Sequence, residues 1–459
     1  MEQVDALVIG AGMAGVPLAL RLGFKGLKTV LVERAEVGGT CLNRGCIPTK
    51  TMIASARVAH LARSAAHYGV RTGPVQVDLK EVVARKDALV TSVRASSERN
   101  LLENPNVELL RGEARFVGER RVVVGDREIS AERVFINTGA RNRTPALQGL
   151  EEVAWLDSTS ALYLSELPRS LLIVGGGYVS CEFAQMYARF GTRVTLVQRH
   201  SQLLPQEDAD VVAELHRVFQ AEDIELVLKA EAERVRSEGG QVVLSVRQEG
   251  KERELRAERL MLAAGREPNT KELNLVAAGV KTDGAGFIRV DEHLETGAPG
   301  VWALGDVRGG PMFTHTARDD ARIVYENVMK GTGLSTQDRV VPYAVFTDPQ
   351  LGRVGLNEKL ARAAGYRVKI GRYEGRKVAK ARALGEPAGL IKIVADAESD
   401  RLLGASVLLA EGAEVVHEIV SAIALGARYT DLRSLIHIHP TLAEGLSSAL
   451  GGVHYEEGI

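Results

Sequence analysis

Apolar runs separated by glycine-rich turns dominate the first part of the chain. Residues 6–9 form an apolar run that predicts a buried strand, and the spacing of apolar residues after the next turn predicts a helix to about Gly23. Residues 29–32 predict a second strand. A strand, a helix and a strand in this order are typical of a βαβ unit in a parallel sheet.

The same pattern returns farther along the chain. Residues 170–174 predict a strand, a helix follows to about Phe190, and residues 193–197 predict the next strand. From about Tyr343, β-like runs surround helical ones, which indicates a separate α+β unit. We therefore expect an α/β protein with two Rossmann-like dinucleotide-binding domains and a C-terminal α+β domain. The expected domains cover residues 1–145, 146–270, a return to the first domain over 271–340, and 341–459.

Both predicted turns carry glycines where a dinucleotide needs them. In the first turn, Gly10 permits a tight bend, Gly12 lets a pyrophosphate approach the backbone, and Gly15 lets the helix pack closely on the strand. Glu33, at the end of the second strand, can accept hydrogen bonds from ribose hydroxyls. The second turn has the same spacing with a serine in the third position: Gly175, Gly177 and Ser180.

The composition is that of an ordinary globular protein. With 459 residues, 45% hydrophobic residues and a net charge of −1, the chain gives no reason to expect nucleic acid or an anionic membrane as a partner. The apolar run over residues 6–22 is broken by glycines, which favours strand, turn and helix over a membrane span. No basic stretch precedes that run, so we expect a cytoplasmic protein.

Two of the three cysteines, Cys41 and Cys46, lie together in one predicted loop just beyond the first unit. A thiol pair this close can open and close as a two-electron redox couple. In a reducing compartment such a pair indicates catalysis or metal binding instead of a structural role. Two thiolates do not complete a tetrahedral zinc shell, so no metal site is predicted. Cys181 is expected to be a small buried residue.

The chain resembles the pyridine nucleotide–disulfide oxidoreductases with a CxxxxC active site, a family that includes dihydrolipoamide dehydrogenase, glutathione reductase and mercuric reductase. The resemblance covers essentially the whole chain. It rests on six segments in a fixed order: GAGMAG with Glu33, GGTCLNRGCIPTK, GGGYVSCE, AAGREPN, the Gly-Asp of residues 305–306, and HPTLAE.

The resemblance implies FAD and a pyridine nucleotide as cofactors. Tyr178 would cover the nicotinamide pocket, Asp306 would hold the flavin's ribityl chain, and a helix starting near Thr314 would direct its N-terminus at the flavin ring. Lys50 and Glu182 would form an ion pair beside the flavin. The residues expected to bind FAD are Gly10, Gly12, Gly15, Glu33, Gly39, Thr40, Lys50, Thr138, Gly139, Asp306 and Thr314. Those expected to bind the nicotinamide nucleotide are Gly175, Gly177, Tyr178, Ser180, Arg199 and Gly265.

The resemblance also implies an electron relay from the nicotinamide through FAD to a Cys41–Cys46 disulfide. Cys46 would face the flavin, and Cys41 would attack the substrate. His439, oriented by Glu444, would carry the proton of Cys41 and would come from the second subunit of an obligatory homodimer. From the residues alone, a surface or interface role is favoured for His439 and His437 over a catalytic one, and the role of His437 stays open.

The nicotinamide preference depends on the end of the second strand of the second unit. An acid there binds the 2′-hydroxyl of NAD, whereas arginine accommodates the 2′-phosphate of NADP. This chain has Gln198-Arg199-His200 at that place. Arg199, with help from His200, favours NADPH over NADH, and a solvated surface role for Arg199 is the alternative.

The sequence limits the identity of the substrate less strongly than that of the cofactors. The segment 313–323 differs from the AHKAxxEG of typical dihydrolipoamide dehydrogenases and is similar to the mercuric-reductase-like branch. Mercuric reductases carry a C-terminal cysteine pair and lack the HPT histidine, whereas this chain has His439 and ends without cysteine. We expect reduction of a small disulfide or another thiol-reactive oxidant, or the reverse reaction of a dihydrolipoamide dehydrogenase. The alternatives are reduction of a metal ion or quinone by the same relay, and a docking subunit of an acyl-transferring multienzyme complex.

Overall fold

The computed structural model describes residues 1–337 and 339–456. The strands, in chain order, are β1 Glu2–Ile9, β2 Thr29–Glu33, β3 Val107–Arg111, β4 Ala114–Gly118, β5 Arg121–Val124, β6 Arg127–Ile136, β7 Ala140–Asn142, β8 Trp155–Leu156, β9 Ser170–Val174, β10 Arg193–Gln198, β11 Glu225–Leu228, β12 Ala230–Glu238, β13 Gln241–Gln248, β14 Lys251–Ala257, β15 Arg259–Leu262, β16 Arg266–Pro268, β17 Val301–Ala303, β18 Tyr343–Val345, β19 Gln350–Gly355, β20 Val368–Glu374, β21 Leu390–Asp396, β22 Leu402–Leu409 and β23 His454–Tyr455. The helices are α1 Gly15–Phe24, α2 Gly39–Arg44, α3 Cys46–Ser64, α4 Leu79–Leu102, α5 Tyr178–Phe190, α6 Ala209–Ala221, α7 Thr314–Lys330, α8 Glu358–Ala363, α9 Ala379–Ala383, α10 Gly412–Val415, α11 His417–Ala424, α12 Tyr429–Arg433 and α13 Glu444–Gly451.

The first sheet is built around β1, which pairs in parallel with β2 on one side and β6 on the other. Strand β3 continues the sheet beside β2, and β17 returns from much later in the chain to pair with β6. Both faces of β1 are covered, because Leu7 and Ile9 pack into one apolar cluster while Ala6 and Val8 pack into another. Burial on both faces explains the continuous apolar runs of this unit.

The second sheet is also parallel, in the order β11-β10-β9-β15-β8. Strands β9 and β10 begin at the predicted positions, and helix α5 between them ends at Phe190 as expected. An antiparallel meander of β12, β13 and β14 follows, with a turn at Gly239 and Gly240, both at positive φ. The chain therefore contains the two predicted dinucleotide-binding folds.

The C-terminal unit is a mixed helical and antiparallel structure. Its six strands pair in the order β18-β19-β22-β21-β20-β23. Helices α11, α12 and α13 cover one face of the sheet, where Ile393 and Leu446 lie in the same apolar cluster. This is the predicted α+β unit.

The connection between the two nucleotide-binding folds begins with a paired strand. Residues 141–149 have the composition of a linker, but β7 at the start of this stretch pairs antiparallel with β16, with Ala140 opposite Pro268. The chain thus leaves the first fold and returns to it through one two-stranded ribbon. Backbone pairing between the outgoing and returning segments decides this, and it joins residues that are far apart in the sequence, such as Asn142 and Arg266.

Helix α4 was not predicted from the sequence. It spans 24 residues, of which only Leu79, Lys86, Val90 and Leu101 are buried. So few buried positions leave no continuous apolar stripe for periodicity to detect. The Asp78 side chain caps the helix by accepting from the backbone N–H of Lys80 at 2.9 Å.

Candidate active site

The first glycine turn is packed too closely for side chains. Gly10 has φ +105°, and a Cβ at this position would lie 2.3 Å from the carbonyl oxygen of Asn137. A Cβ at Gly15 would lie 2.0 Å from the carbonyl oxygen of Gly10. Because backbone atoms occupy both places, substitution requires the turn to open. The turn therefore has the tight geometry that a dinucleotide-binding βα unit needs.

Glu33 lies beside this turn at the end of β2. Its carboxylate accepts the backbone N–H of Ala11 at 2.8 Å through one oxygen and that of Ala35 at 2.8 Å through the other. A carboxylate has about four acceptor positions, so capacity remains for the ribose hydroxyls of a bound nucleotide. These bonds hold the carboxylate at the mouth of the turn.

A second polar group that fits FAD lies on the returning segment. Asp306 follows β17, and burial raises the pKa of its carboxyl. Arg266 lies 3.7 Å from the Asp306 carboxylate, and its Nε is buried without a hydrogen-bond partner among the described atoms. Gly265 precedes Arg266, and Gly139 precedes Ala140, whose carbonyl oxygen accepts from Arg266 at 2.7 Å; both glycines have positive φ and open space where a Cβ would stand. A buried unpartnered donor and open backbone beside a dinucleotide turn fit the polar part of FAD.

Thr138, in the same region, uses its hydroxyl within the protein. Its Oγ1 donates to the carbonyl oxygen of Asn269 at 2.8 Å, and the Asn269 side chain donates back to the Thr138 carbonyl at 2.9 Å. This reciprocal pair joins the end of β6 to the segment that follows β16. Thr138 therefore links two backbone segments that border the site.

The two cysteines lie on helices, so the predicted loop is wrong. Cys41 lies within α2, and Cys46 is the first residue of α3, with Gly45 between the two helices. Helix α2 approaches the glycine turn closely, since a Cβ at its first residue, Gly39, would lie 2.9 Å from the Cα of Gly12. Residue Thr40, next along the helix, is exposed. Helical structure thus brings the pair directly against the dinucleotide turn.

The two sulfurs have different surroundings. The Cys46 Sγ lies 3.5 Å from the Thr314 Oγ1 at the start of α7. The hydrogen bond from Cys41 lowers the pKa of Cys46 to about 6 against the effect of burial, with further lowering from Thr314 and Lys50. The pKa of Cys41 is raised by the same hydrogen bond and by burial. The N-terminus of α3 adds to this difference because it stabilises a thiolate at Cys46. These surroundings favour a thiolate at Cys46 and a protonated thiol at Cys41.

This difference predicts the pH behaviour of the reduced protein. Because the pKa of Cys46 is lowered, its thiolate persists as pH falls and is lost only near pH 6. We expect the ultraviolet thiolate absorbance of the reduced protein to titrate there, well below the ordinary thiol midpoint of about 8.5. Thr314→Val is expected to raise the midpoint. The Cys46→Ser variant is the control, and a wild-type midpoint at the ordinary thiol value would contradict the assignment.

Lys50 and Glu182 meet beside the cysteines. The Lys50 Nζ lies 2.7 Å from the Glu182 Oε2, and the other Glu182 oxygen accepts the backbone N–H of Phe346 at 2.9 Å. The Phe346 ring lies 4.5 Å below the same ammonium. Glu182 is 3% exposed. The pair therefore joins the cysteine helix to α5 of the second fold, and Lys50 supplies positive charge to Cys46.

The second glycine turn is tight at its start and open at its centre. Gly175 has φ +126°, and a Cβ there would lie 2.6 Å from the carbonyl oxygen of Ala263, whereas Gly177 has open space. Ser180 is completely buried below the turn, and its Oγ has no hydrogen-bond partner in the described chain. Ser180 thus acts in packing, as Gly15 does, while the Gly177 backbone stays accessible to a phosphate.

Tyr178 lies at the start of α5 between the two cofactor regions. It is 38% exposed, and its ring lies 6.4 Å from the ring of Phe313. Phe313 in turn stacks on Tyr343, with 5.4 Å between ring centroids. An aromatic side chain at this junction can cover a nicotinamide ring.

The register of the two parallel sheets assigns a cofactor position to Gln198, whereas the sequence analysis assigned the contact to its neighbour Arg199. Ile9 pairs with Val32 ahead of Gly10 and Glu33, and Val174 pairs with Val197 ahead of Gly175 and Gln198. Gln198 is therefore the positional equivalent of Glu33. It is 6% exposed, and its amide nitrogen would lie 2.2 Å from a Cβ at Gly176. The separation of Gly175 from Gln198 in the sequence equals that of Gly10 from Glu33, so counting residues from the first glycine of each turn identifies this position.

Arg199 lies one position farther, on the surface. Its Nε is 3.4 Å from the Nε2 of His200, and both residues are exposed. A guanidinium at this place can reach a phosphate that lies over the second turn.

His439 and Glu444 form a pair on the C-terminal unit. The His439 Nδ1 lies 2.8 Å from the Glu444 Oε2, and the imidazole is 73% exposed. Within the described chain no hydrogen bond links His439 to either cysteine. Its neighbours Ile436 and Ile438 are 99% and 80% exposed. An exposed histidine amid large apolar side chains fits a surface that another subunit covers.

His437 has a different partner and a different environment. Its Nε2 lies 3.0 Å from the Glu418 carboxylate, and its side chain is only 11% exposed. It therefore faces its own subunit.

No group of three or more histidine, cysteine, aspartate or glutamate side chains is arranged to hold a metal ion in residues 1–337 and 339–456. None of the described helices combines the length and the apolar character that crossing a bilayer requires.

Comparison with known proteins identifies the family. The family model described as pyridine nucleotide-disulphide oxidoreductase matches residues 4–321, and that of its dimerisation domain matches residues 341–450. The chain belongs to the pyridine nucleotide-disulphide oxidoreductases. The family implies FAD and a pyridine nucleotide as cofactors, and the dimerisation domain supports a homodimer.

Individual relatives match over nearly the whole chain. Dihydrolipoyl dehydrogenase of Thermus scotoductus is 39% identical over 99% of this chain and 98% of its own length. Mercuric reductase of Bacillus cereus is 36% identical over 97% of this chain and 71% of its own length. The structure of the Cu(II) complex of the HOCl-induced flavoprotein disulfide reductase RclA from Escherichia coli is 34% identical, covers 98% of this chain and 99% of that chain, and has a TM-score of 0.90.

These matches confirm the predicted family, the α/β fold and the enzyme class. The chain is a FAD-dependent disulfide oxidoreductase of the dihydrolipoyl dehydrogenase and mercuric reductase group.

Proposed function

We propose that the enzyme reduces small disulfides with electrons from a pyridine nucleotide, with Cys41 as the thiol that meets the substrate and Cys46 as the thiol that meets FAD. The unequal surroundings of the two sulfurs carry this proposal. Cys46 has a lowered pKa beside Thr314 and Lys50, whereas Cys41 has a raised pKa and must be deprotonated before it attacks. The chemistry that bound FAD supplies is the transfer of two electrons between nicotinamide and the disulfide.

The substrate reaction is thiol–disulfide exchange. The Cys41 thiolate attacks one sulfur of the substrate, forms a mixed disulfide, and expels the other sulfur as a thiolate that takes a proton. Cys46 then attacks the Cys41 sulfur, which re-forms the Cys41–Cys46 disulfide and releases the second substrate thiol. Two thiols of the enzyme are oxidised, one substrate disulfide is reduced, and two electrons from the nicotinamide restore the enzyme.

His439 of one subunit is proposed to act on Cys41 of its partner. Its Nδ1 is held by Glu444 at 2.8 Å, which leaves Nε2 free to exchange a proton. The exposed apolar residues around it support an interface position. The same pair would protonate the leaving substrate thiolate.

The nicotinamide is proposed to be NADPH. Gln198, at the position equivalent to Glu33, is neutral and does not repel a 2′-phosphate, and Arg199 next to it is positively charged. Neutral Gln198 can also bond to a ribose hydroxyl, so NADH is the second candidate.

Arg199→Ala tests this preference. We expect the KM for NADPH to rise about five- to tenfold while the KM for NADH changes little, because one charge-assisted contact to the 2′-phosphate is lost. Arg193→Ala is the matched control, since Arg193 is an exposed arginine at the opposite end of β10. Equal changes in the KM for NADPH and the KM for NADH would show that Arg199 is a surface residue with no part in cofactor preference.

A steady-state panel tests the proposed function as a whole. NADPH and NADH are each combined with lipoamide, glutathione disulfide, a quinone and Hg(II). Turnover of a disulfide that depends on Cys41 supports the proposal. Turnover of only the quinone or Hg(II) would contradict it and favour the alternative reductase activity.

A further inference from the structure

Arg318 lies on α7, the helix that begins beside the cysteine pair. Helix α7 begins at Thr314, whose hydroxyl lies 3.5 Å from the Cys46 sulfur. Arg318 comes four residues later, so it shares the helix face of Thr314, one turn along. The pKa of Cys41 is raised chiefly by its hydrogen bond with Cys46 and by burial, and Thr314 and Arg318 lower it. Side chains on an α-helix tilt toward its N-terminus, so the Arg318 side chain extends back toward Thr314 and the cysteine pair.

The guanidinium of Arg318 is not used within the described chain. The two carboxylates that follow it are held by other arginines. Asp319 pairs with Arg322 at 2.7 Å, and Asp320 pairs with Arg308 at 2.8 Å. Arg339 lies 2.7 Å from Asp320 as well. Arg318 is exposed and makes no ion pair with any residue in 1–337 or 339–456, so its five donors remain available to a ligand.

We propose that Arg318 selects disulfides that carry a carboxylate within a few bonds of the sulfur that Cys41 attacks. The planar guanidinium matches a carboxylate in charge and geometry, and it would hold the disulfide over Cys41. Cationic disulfides are disfavoured by the same charge. This inference rests on the proposed function and names its substrate class, anionic disulfides of low mass. Arg318 is a specificity residue, and the exchange chemistry itself remains with Cys41 and Cys46.

A charge series of otherwise similar disulfides tests the proposal. Dithiodipropionate is a dianion, bis(hydroxyethyl) disulfide is neutral, and cystamine is a dication. In the holoenzyme we expect kcat/KM to fall in that order. Arg318→Gln is expected to lower kcat/KM for the dianion about tenfold, while the value for the neutral disulfide stays within about twofold. Arg318→Lys should keep much of the preference, because the charge remains.

Arg322→Gln is the matched control. It removes the same charge from the same helix, one turn farther from Thr314, where the arginine is already paired with Asp319. We expect the charge preference of this variant to equal that of the wild type. An equal loss of preference in Arg322→Gln and Arg318→Gln would show a general field of the helix and would overturn the specific role of Arg318.

A second readout needs no turnover. The reduced holoenzyme is alkylated with iodoacetate, an anion, and with iodoacetamide, which is neutral, and labelling of Cys41 is followed by mass spectrometry. Arg318→Gln is expected to lower the iodoacetate-to-iodoacetamide rate ratio several-fold. If the ratio and the charge series are both unchanged, the inference about Arg318 is wrong while the proposed function stands. If the wild type reduces neither these three disulfides nor lipoamide or glutathione disulfide, the proposed function itself is wrong.

Discussion

Cys41→Ser is expected to lower disulfide turnover by about 10⁴-fold or more, because removing the nucleophile leaves no group to form the mixed disulfide. Reduction of the bound flavin by the nicotinamide should continue, since Cys46 and the pair of Lys50 and Glu182 remain in place. The measurement combines steady-state turnover with anaerobic reduction followed by absorbance. Loss of disulfide turnover together with unchanged flavin reduction would assign Cys41 to the substrate side.

Cys46→Ser is the matched change on the other sulfur. It should abolish disulfide turnover to a similar extent, and it should also remove the long-wavelength charge-transfer absorbance of the reduced enzyme. Cys181→Ser is the control, because Cys181 is completely buried and lies in the apolar core of the second fold. If the charge-transfer absorbance survived in Cys46→Ser and vanished in Cys41→Ser, the assignment of the two sulfurs would be reversed.

His439→Ala is expected to lower disulfide turnover by roughly 10²- to 10⁴-fold, the range that a general acid–base group contributes. Cys41 has a raised pKa, so without a base it stays protonated near neutral pH and attacks slowly. Flavin reduction by nicotinamide should be unaffected. His437→Ala is the control, since His437 pairs with Glu418 of its own subunit at 3.0 Å. Unchanged turnover in His439→Ala would mean that the base lies elsewhere.

Hybrid dimers test whether the base comes from the partner. Cys41→Ser and His439→Ala homodimers are each expected to be inactive. If the site uses Cys41 of one subunit and His439 of the other, a hybrid has one site that lacks both groups and one intact site. Random mixing of equal amounts makes about half of the dimers hybrid, and each hybrid has one intact site of two. The mixture should therefore recover about a quarter of wild-type activity, as expected for a symmetric dimer. No recovery after verified exchange would place both groups in one subunit.

The local features of this protein could be read from its sequence. Gly10, Gly12 and Gly15 were assigned correctly to a tight βα turn because the requirement is set by neighbouring backbone atoms. The apolar runs of both parallel sheets were equally readable, since strands buried on both faces need continuous apolar sequence. The cysteine spacing was enough to suggest redox chemistry.

Other features depended on packing that leaves a weak trace in the sequence. Helix α4 escaped detection because only a few of its residues are buried. The cysteine pair was expected in a loop, yet it lies on two helices, the first of which packs against the first glycine turn. Gln198 became significant only when the strand registers aligned it with Glu33.

The sequence by itself determined the dinucleotide turns, the order of the folds and the presence of a dithiol, because each follows from residues that are close together in the chain. The tertiary structure decided how the two sulfurs differ. The environment of Cys46 depends on Thr314, 268 residues away, and the pair of Lys50 and Glu182 joins residues 132 positions apart. Electrostatic effects act through space over a few ångströms, so they depend on contacts that exist only after the chain has folded.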